Sequence, residues 1–443
     1  MTDWSTLDAT AWREAARKQG AVAGVQAALT AIDSPAGTAL NAFTVVLREE
    51  ALRTARELDN RGFDGRPLWG VPVAIKEEVD VAGCVTTFGT RGNVTPRDAD
   101  SEIVRRLRQA GAIIIGKTAM PAFGAFPFTE SEAHGVTVNP HDPARTPGGS
   151  SGGTAAAVAG GLVPVGIGGD GGGSIRIPSA HCGLVGLKPR RGVVPTAPYQ
   201  DLWCALGTSG ALTRSARDTR LLFDVLADAP TASTVPATPP ANLRIALDLR
   251  PLSPLTPLHK ENRDAVLQVA QKLRALGHTV EEARIRSADP TPAFYVQFFA
   301  GIRQEIAGLE FPERIEGRHK RTALMGAWAT PKVVDWARHR SEDIGDEIEA
   351  YFSDYDALLT PTVADRPVRA GILSGMGTVR AQLASLPSVA YTARYNVSGH
   401  PAIALPAGRD KHGLPLSVQL VGSRADTAPG EGLLLTLAEQ LGL

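Results

Sequence analysis

The sequence predicts an α/β fold in which a largely parallel or mixed sheet is covered by helices on both faces. Two observations carry this reading: short, apolar, β-branched runs recur along the chain, and stretches of helical length and periodicity separate them. The periodicity predicts helices over Ala11 to Ile32 and Ala39 to Asn60, the second with Leu40, Phe43, Val46 and Leu47 on one face. PLWGVPV at Pro67 to Val73 runs into Ala74 and Ile75 and predicts a buried strand ending at Lys76. An amphipathic helix over Asp100 to Ala110, with Gly111 as its C-terminal stop, leads to a strand at Ala112 to Ile115. A helix at Ala155 to Ala159 and a strand at Leu162 to Ile167 follow. From about Arg220 the character shifts, and Pro230 to Asn242, rich in Pro, Thr and Ala, reads as a surface connection. Beyond it come a strand at Leu243 to Asp248, a helix at Leu258 to Leu276 and a long helical region from Pro292 to Phe352. Strands at Ala357 to Leu359, Ala402 to Ala404 and Leu416 to Val421 precede a closing helix at Gly430 to Leu441.

Composition narrows the function classes. At 443 residues, length alone suggests two or three domains. Lys plus Arg and Asp plus Glu both number 46, so no basic excess offers a footprint for nucleic acid or an anionic membrane. Cys84, Cys182 and Cys204 form no CxxC pair, which points to neither a disulfide framework nor a metal site. The N-terminal stretch lacks the basic and apolar regions of a signal peptide, and the longest apolar run, Ala155 to Gly169, is too short to span a bilayer. The expected location is the cytoplasm.

The most informative stretch is Gly148 to Ser179, GGSSGGTAAAVAGGLVPVGIGGDGGGSIRIPS. Two glycine clusters, each carrying a serine (Ser150 and Ser174), flank an apolar segment. Glycine this dense costs backbone entropy, and one good reason for it is a backbone that approaches a ligand and turns its N–H groups toward developing negative charge. Serine needs a base. His181 lies just beyond Ser174 but in an apolar context that suits a satisfied core histidine, while His134 and His141 fall in a polar loop and read as solvated. No GxSxG elbow is present. Lys76 ends an apolar run, where desolvation disfavours its charge and a neutral amine can act as base; taken alone, such a lysine more often snorkels or pairs with an acid, here Glu77 or Glu78. Gly166 to Gly171 satisfies G-x-G-x-x-G, yet Pro178 and Gly183 argue against a following helix and no Asp or Glu occurs between Gly171 and Gln200, so a dinucleotide site is excluded. No Gly-Lys-Ser/Thr follows the first cluster, which excludes a phosphate loop.

These residues resemble the amidase signature family: GGSSGG, then D-x-G-x-S-I-R-x-P from Asp170, with GVPVAIK about seventy residues upstream of Ser150. The likeness extends to LNAF at Leu40, NPHDPARTPGGSSGG at Asn139, GLVGLKPRRGVVP at Gly183, DALLTPT at Asp356, NVSGHPAIALPAG at Asn396 and GLPLSVQLVG at Gly413. The resemblance implies a single domain over residues 1–443 built on a twisted mixed sheet, with a catalytic core at 65–220 and a helical pocket insert at 290–352. It implies Ser174 as nucleophile, Ser150 (after a cis peptide bond from Gly149) as proton relay, and Lys76 as base. It further implies an oxyanion hole from the amides of Gly171, Gly172, Gly173 and Ser174, with Ser151, Asp170 and Arg176 in support, and no cofactor or metal. The chain departs from the family's common pattern at Gly171, where Thr is usual, and at Glu77, where Asp is usual.

The implied reaction is hydrolysis of an amide through an acyl-enzyme. A pocket is expected from Met120 to Phe128, from Tyr199 to Trp203 and from the insert, with Met120, Phe123, Phe126, Tyr199 and Trp203 as lining residues; Arg394 is the one candidate for a substrate carboxylate. The partner is then a small-molecule amide, anilide or carbamate of apolar character, bound by a monomer or homodimer, with no nucleic acid or membrane involved. Rival readings are a hydrolase of small aliphatic or cyclic amides, the amidotransferase subunit that acts on aminoacyl-tRNA within a multi-subunit complex, and a non-catalytic module that kept the fold. Intact Lys76, Ser150 and Ser174 argue against the last.

Overall fold

A computed structural model describes residues 2–228, 242–254 and 256–443. Its centre is a single sheet of eleven strands. In chain order the strands among the described residues are β1 (Phe43–Val46), β2 (Pro72–Lys76), β3 (Ile113–Thr118), β4 (Glu130–Ser131), β5 (Gly135–Val136), β6 (Val165–Asp170), β7 (Val185–Lys188), β8 (Thr208–Thr213), β9 (Arg244–Leu247), β10 (Thr279–Glu282), β11 (Ala357–Pro361), β12 (Ala402–Arg409) and β13 (Pro415–Val421). The large sheet runs β1-β3-β2-β6-β8-β7-β12-β13-β11-β9-β10, and β4 and β5 form a separate hairpin. β2 pairs in parallel with both β3 and β6, whereas β6 to β13 are joined mainly by antiparallel pairs, so the sheet is mixed. β2, β3 and β6 are buried along their whole length, as strands covered by helices on both faces must be. Among the described residues no helix is long and apolar enough to cross a membrane.

The elements follow the sequence pattern with instructive exceptions. The first predicted helix is two, Ala9–Gln19 and Ala21–Asp33, because Gly20 sits at φ +95° and the Asp59 carboxylate accepts the N–H groups of Ala21 and Val22. The second splits into helix Pro35–Leu40, strand β1 and helix Arg48–Arg61. Phe43 to Val46 is aromatic and β-branched, and the open edge of β3 takes it as an antiparallel neighbour. A short helix, Arg176–Cys182, does follow the second glycine cluster. Pro178 falls in its first turn, where a missing N–H removes no helical bond, and Gly183 in the left-handed region closes it. The case against a dinucleotide site therefore rests on the absent acid alone. Most of the connection read at Pro230 to Asn242 lies outside the described residues. The region 290–352 holds helices Thr291–Ala307, Gly317–Met325 and Pro331–Glu349; the inner faces of the first and last join Phe123, Phe126 and Phe128 in a second apolar core, and His319 of the middle one packs against Phe123 and Phe126.

Candidate active site

Because β2 and β6 are parallel neighbours, their C-terminal ends meet at one edge of the sheet and bring Lys76 beside Gly169 and Asp170. That edge is where open α/β sheets place ligands. The two serines arrive there from loops that open the helices Gly152–Ala159 and Arg176–Cys182. Lys76 is almost wholly buried, and its Nζ donates to Ser150 Oγ at 2.7 Å and to the Gly169 carbonyl at 3.3 Å. The Gly149–Ser150 peptide bond is cis. Ser151 locks the two loops together: its N–H donates to the Ser174 carbonyl at 3.1 Å and its Oγ to the Gly169 carbonyl at 3.2 Å. Ser174 is only half-buried and lines the same cavity as Lys76 and Ser150.

Both acids after Lys76 are ion-paired, but to different lysines. Glu78 Oε1 lies 3.0 Å from Lys76 Nζ. Glu77 instead pairs with buried Lys117 at 3.4 Å and accepts from Thr44 and from Thr87, so the departure there concerns how the strand is anchored. Gly169 makes the Glu78 contact possible, since a Cβ there would collide with Glu78 Oε1.

Asp170 organises the glycine loop. Arg176 grips it with two bonds, Nε to Oδ2 at 3.0 Å and Nη2 to Oδ1 at 2.9 Å, and both side chains are fully out of solvent. Arg176 also donates to Gln419, Asn396 and the Thr392 carbonyl, which fastens the loop to distant β13 and its neighbours. Burial works to raise the Asp170 carboxyl, but the Arg176 charge outweighs it and holds the group below the usual carboxylate range. The same carboxylate accepts the Gly173 N–H at 2.7 Å and the Ile175 N–H at 3.1 Å. This corrects one expectation: the Gly173 amide is committed to Asp170, and among the described residues the N–H groups of Gly171, Gly172 and Ser174 have no acceptor.

Ser174 stands between two cavities. The larger, of about 400 Å³, is lined by the lysine–serine pair, Glu78, Asp80, Phe88, Arg97, Tyr199, Leu202, Trp203 and one face of helix Thr291–Ala307. A small one of about 40 Å³ has aromatic walls, Phe126, Trp203, Phe294, Tyr295 and Phe298. Tyr199, Trp203 and Phe126 thus reach the site. Met120 and Phe123 line neither cavity; both are buried, and Phe123 packs edge-on to His319. Arg394 lines neither and faces a separate crevice with Asp248 and Tyr391. His181 is buried as expected, yet its Nδ1 lacks a partner, and burial pushes the imidazole down to about 4. His134 is only half exposed, bonded to Thr87 Oγ1 at 3.1 Å; His141 is exposed, its Nε2 2.9 Å from the Cys182 carbonyl.

Two residues that sequence reasoning underused are Glu78, one position past the lysine's neighbour, and Glu305. Trp203 Nε1 donates to Glu305 Oε1 at 2.7 Å, across 102 positions of sequence. The Gly171 departure also has a physical counterpart, for a Cβ there would meet the Trp203 ring at 3.0 Å.

A lysine-bonded serine and a second, accessible serine thus line one cavity beside the glycine loop. Residues 24–428 match the family model described as Amidase. The AmiB2 protein of Mycobacterium tuberculosis (strain ATCC 25618 / H37Rv), named provisionally as an amidase, is 41% identical over 414 residues, covering 91% of this chain and 88% of that protein. One subunit of the glutamyl-tRNA(Gln) amidotransferase of Alkaliphilus metalliredigens (strain QYMF) is 33% identical over 431 residues, covering 86% of each. The structure of 6-aminohexanoate cyclic dimer hydrolase complexed with substrate superposes with a TM-score of 0.91 at 29% identity, covering 99% of this chain and 97% of that one. The chain belongs to the amidase signature family, and its chemistry is hydrolysis of C–N bonds.

Proposed function

We propose that the protein hydrolyses small-molecule amides, anilides or carbamates with an apolar portion, by a Ser174 acyl-enzyme. The carrying observation is the 2.7 Å bond from Lys76 to Ser150 at the wall of a cavity into which Ser174 also opens. In this reading Ser174 attacks the carbonyl carbon while its proton passes to Ser150 and the Ser150 proton to the Lys76 amine. The ammonium so formed is received by Glu78 and the Gly169 carbonyl, at 3.0 and 3.3 Å. The carbonyl oxygen, now negative, accepts from the free amides of Gly171, Gly172 and Ser174. Protonation of the leaving nitrogen by the reverse route breaks the C–N bond, and water then attacks the acyl-enzyme by the same relay. Phe88, Pro198, Leu202 and Trp203 support an apolar substrate portion, and a cavity of about 400 Å³ is of small-ligand size.

The test is covalent labelling by a fluorophosphonate, followed by turnover of an anilide, an aryl carbamate and a short aliphatic amide. The expected result is one label on Ser174, none in Ser174→Ala, and faster turnover of the first two substrates. Labelling elsewhere overturns the nucleophile, and turnover of the aliphatic amide alone overturns the substrate class.

A further inference from the structure

The charged groups that face the larger cavity are not equally matched. Lys76 faces Glu78 at 3.0 Å, Arg97 faces Asp80 at 3.2 Å, and Asp201 is held by Arg338 at 2.7 Å. Glu305 is the exception. Among the described residues it has no cationic partner; its Oε1 accepts only the Trp203 indole, and its Oε2 is out of solvent with no hydrogen bond at all. It sits on the face of helix Thr291–Ala307 that, with Gly301, Gln304 and neighbouring Gly308, forms the cavity wall. Gly301 lets this wall close, since a Cβ there would meet Trp203 Cα at 3.0 Å.

The Trp203 segment is built to hold that arrangement. Trp203, Cys204 and Ala205 all lie at positive φ (+53°, +51° and +72°), a backbone region costing roughly 1–2 kcal/mol per non-glycine residue. The turn is fixed from outside, because Gln297 donates to the Cys204 carbonyl at 2.7 Å. An indole that orients one oxygen of a carboxylate, with the other left unpaired beside a binding cavity, describes a receptor for a donor carried by a ligand.

Resting on the function proposed above, we infer that Glu305 selects substrates bearing an ammonium group, with which it pairs in the cavity. The class is an aminoalkyl amide or anilide: an apolar chain against Trp203 and Leu202, a hydrolysable carbonyl at Ser174, and a terminal amine at Glu305. The electrostatics agree. Burial, reinforced by the Glu78 charge, pushes the empty-site Glu305 carboxyl up to about 8, and a bound ammonium supplies the counter-charge that the chain withholds.

The experiment compares kcat/KM for 5-aminopentanoyl and hexanoyl p-nitroanilides, near-isosteres that differ in the terminal ammonium, in wild type and Glu305→Gln. The wild type is expected to favour the amino substrate at least tenfold, and the variant to lose at least tenfold in that ratio, mostly through KM. A wild-type preference for hexanoyl, or a ratio unmoved by the substitution, overturns the inference. A second measurement needs no turnover: calorimetric titration of Ser174→Ala protein with pentylamine and with pentanol. Tighter binding of the amine supports the inference even if no anilide is hydrolysed, the result that would instead count against the proposed reaction. Equal or weaker binding of the amine overturns it.

Discussion

Replacing Glu78 by Gln isolates the charge that, in the proposed reaction, faces the protonated Lys76 amine. At 3.0 Å and an effective dielectric constant of ~20, the carboxylate–ammonium attraction is about 5 kcal/mol. Glutamine keeps a hydrogen-bonding oxygen on the same stem, and Glu78 is 17% exposed and so partly screened, which leaves about 2–3 kcal/mol of lost ammonium stabilisation. At 1.36 kcal/mol per tenfold in rate, loss of all of that stabilisation would lower kcat/KM by ~30–150-fold. The sign follows from the chemistry: without the neighbouring anion, the ammonium that forms as the serine proton moves is less stabilised, so the transition state rises. The observed fall should be ~10-fold, because only part of the proton has moved in the transition state and only part of the lost energy is felt there. Steady-state rates on one anilide read the effect. An unchanged or raised kcat/KM would show that Glu78 does not face a cation formed in the reaction.

Three further outcomes follow from the surrounding shell. Arg176→Met should lower unfolding free energy by about 3–5 kcal/mol in a denaturant titration, since it strands the fully buried Asp170 carboxylate; a loss below ~1 kcal/mol would contradict the anchoring role. Gly171→Ala places a Cβ 3.0 Å from the Trp203 ring and should cut kcat/KM about tenfold, and by about 1 kcal/mol less in a Trp203→Ala background; additive effects would mean the two do not meet. Glu349 is pushed up by burial, but bonds from His400, Ser423 and the Arg424 N–H outweigh this and hold it at about 2, below its unfolded value of 4.5. Its stabilisation is therefore complete above about pH 4.5 and lost as pH falls toward 2, so Glu349→Gln should flatten the fall of Tm with pH across that window, and an unchanged slope would refute the assignment.

How much of this could be read from sequence depends on the range of the determinants. The sheet's centre was legible because VPVAIK, AIII and LVPVGI are continuous apolar runs, and such runs become strands buried on both faces. Lys76 and the two serines were legible because a distinctive motif carries them, and the fold brings Lys76 onto Ser150. β1 was missed because Leu40, Phe43, Val46 and Leu47 fit a helical stripe as well as FTVV fits an edge strand, and only the presence of β3 decides between them. Met120 and Phe123 were misplaced because aromatic density near a loop says nothing about which side of the wall a ring faces. Glu305 left no local signal, for its role depends on an indole more than a hundred residues upstream.

The glycine stretch shows why part of the site had to be found in space. Its backbone amides are one function of the glycines, but Gly173 spends its amide on Asp170. What the cluster does throughout is vacate volume. Gly169 admits the Glu78 carboxylate to Lys76, Gly171 admits the Trp203 ring, Gly172 admits Phe294, and Gly173 admits Thr392, whose Oγ1 an added Cβ would strike. Each visitor comes from a different segment, and together they define one wall beside the lysine–serine pair and another between the two cavities. A side chain at any of the four positions would displace one of them. Where the family commonly has Thr, this chain has Gly171 under an indole, and that indole also aims Glu305. The glycine in the motif and the acid in the pocket thus meet through one side chain: a loop without a Cβ leaves room for the indole that orients the carboxylate.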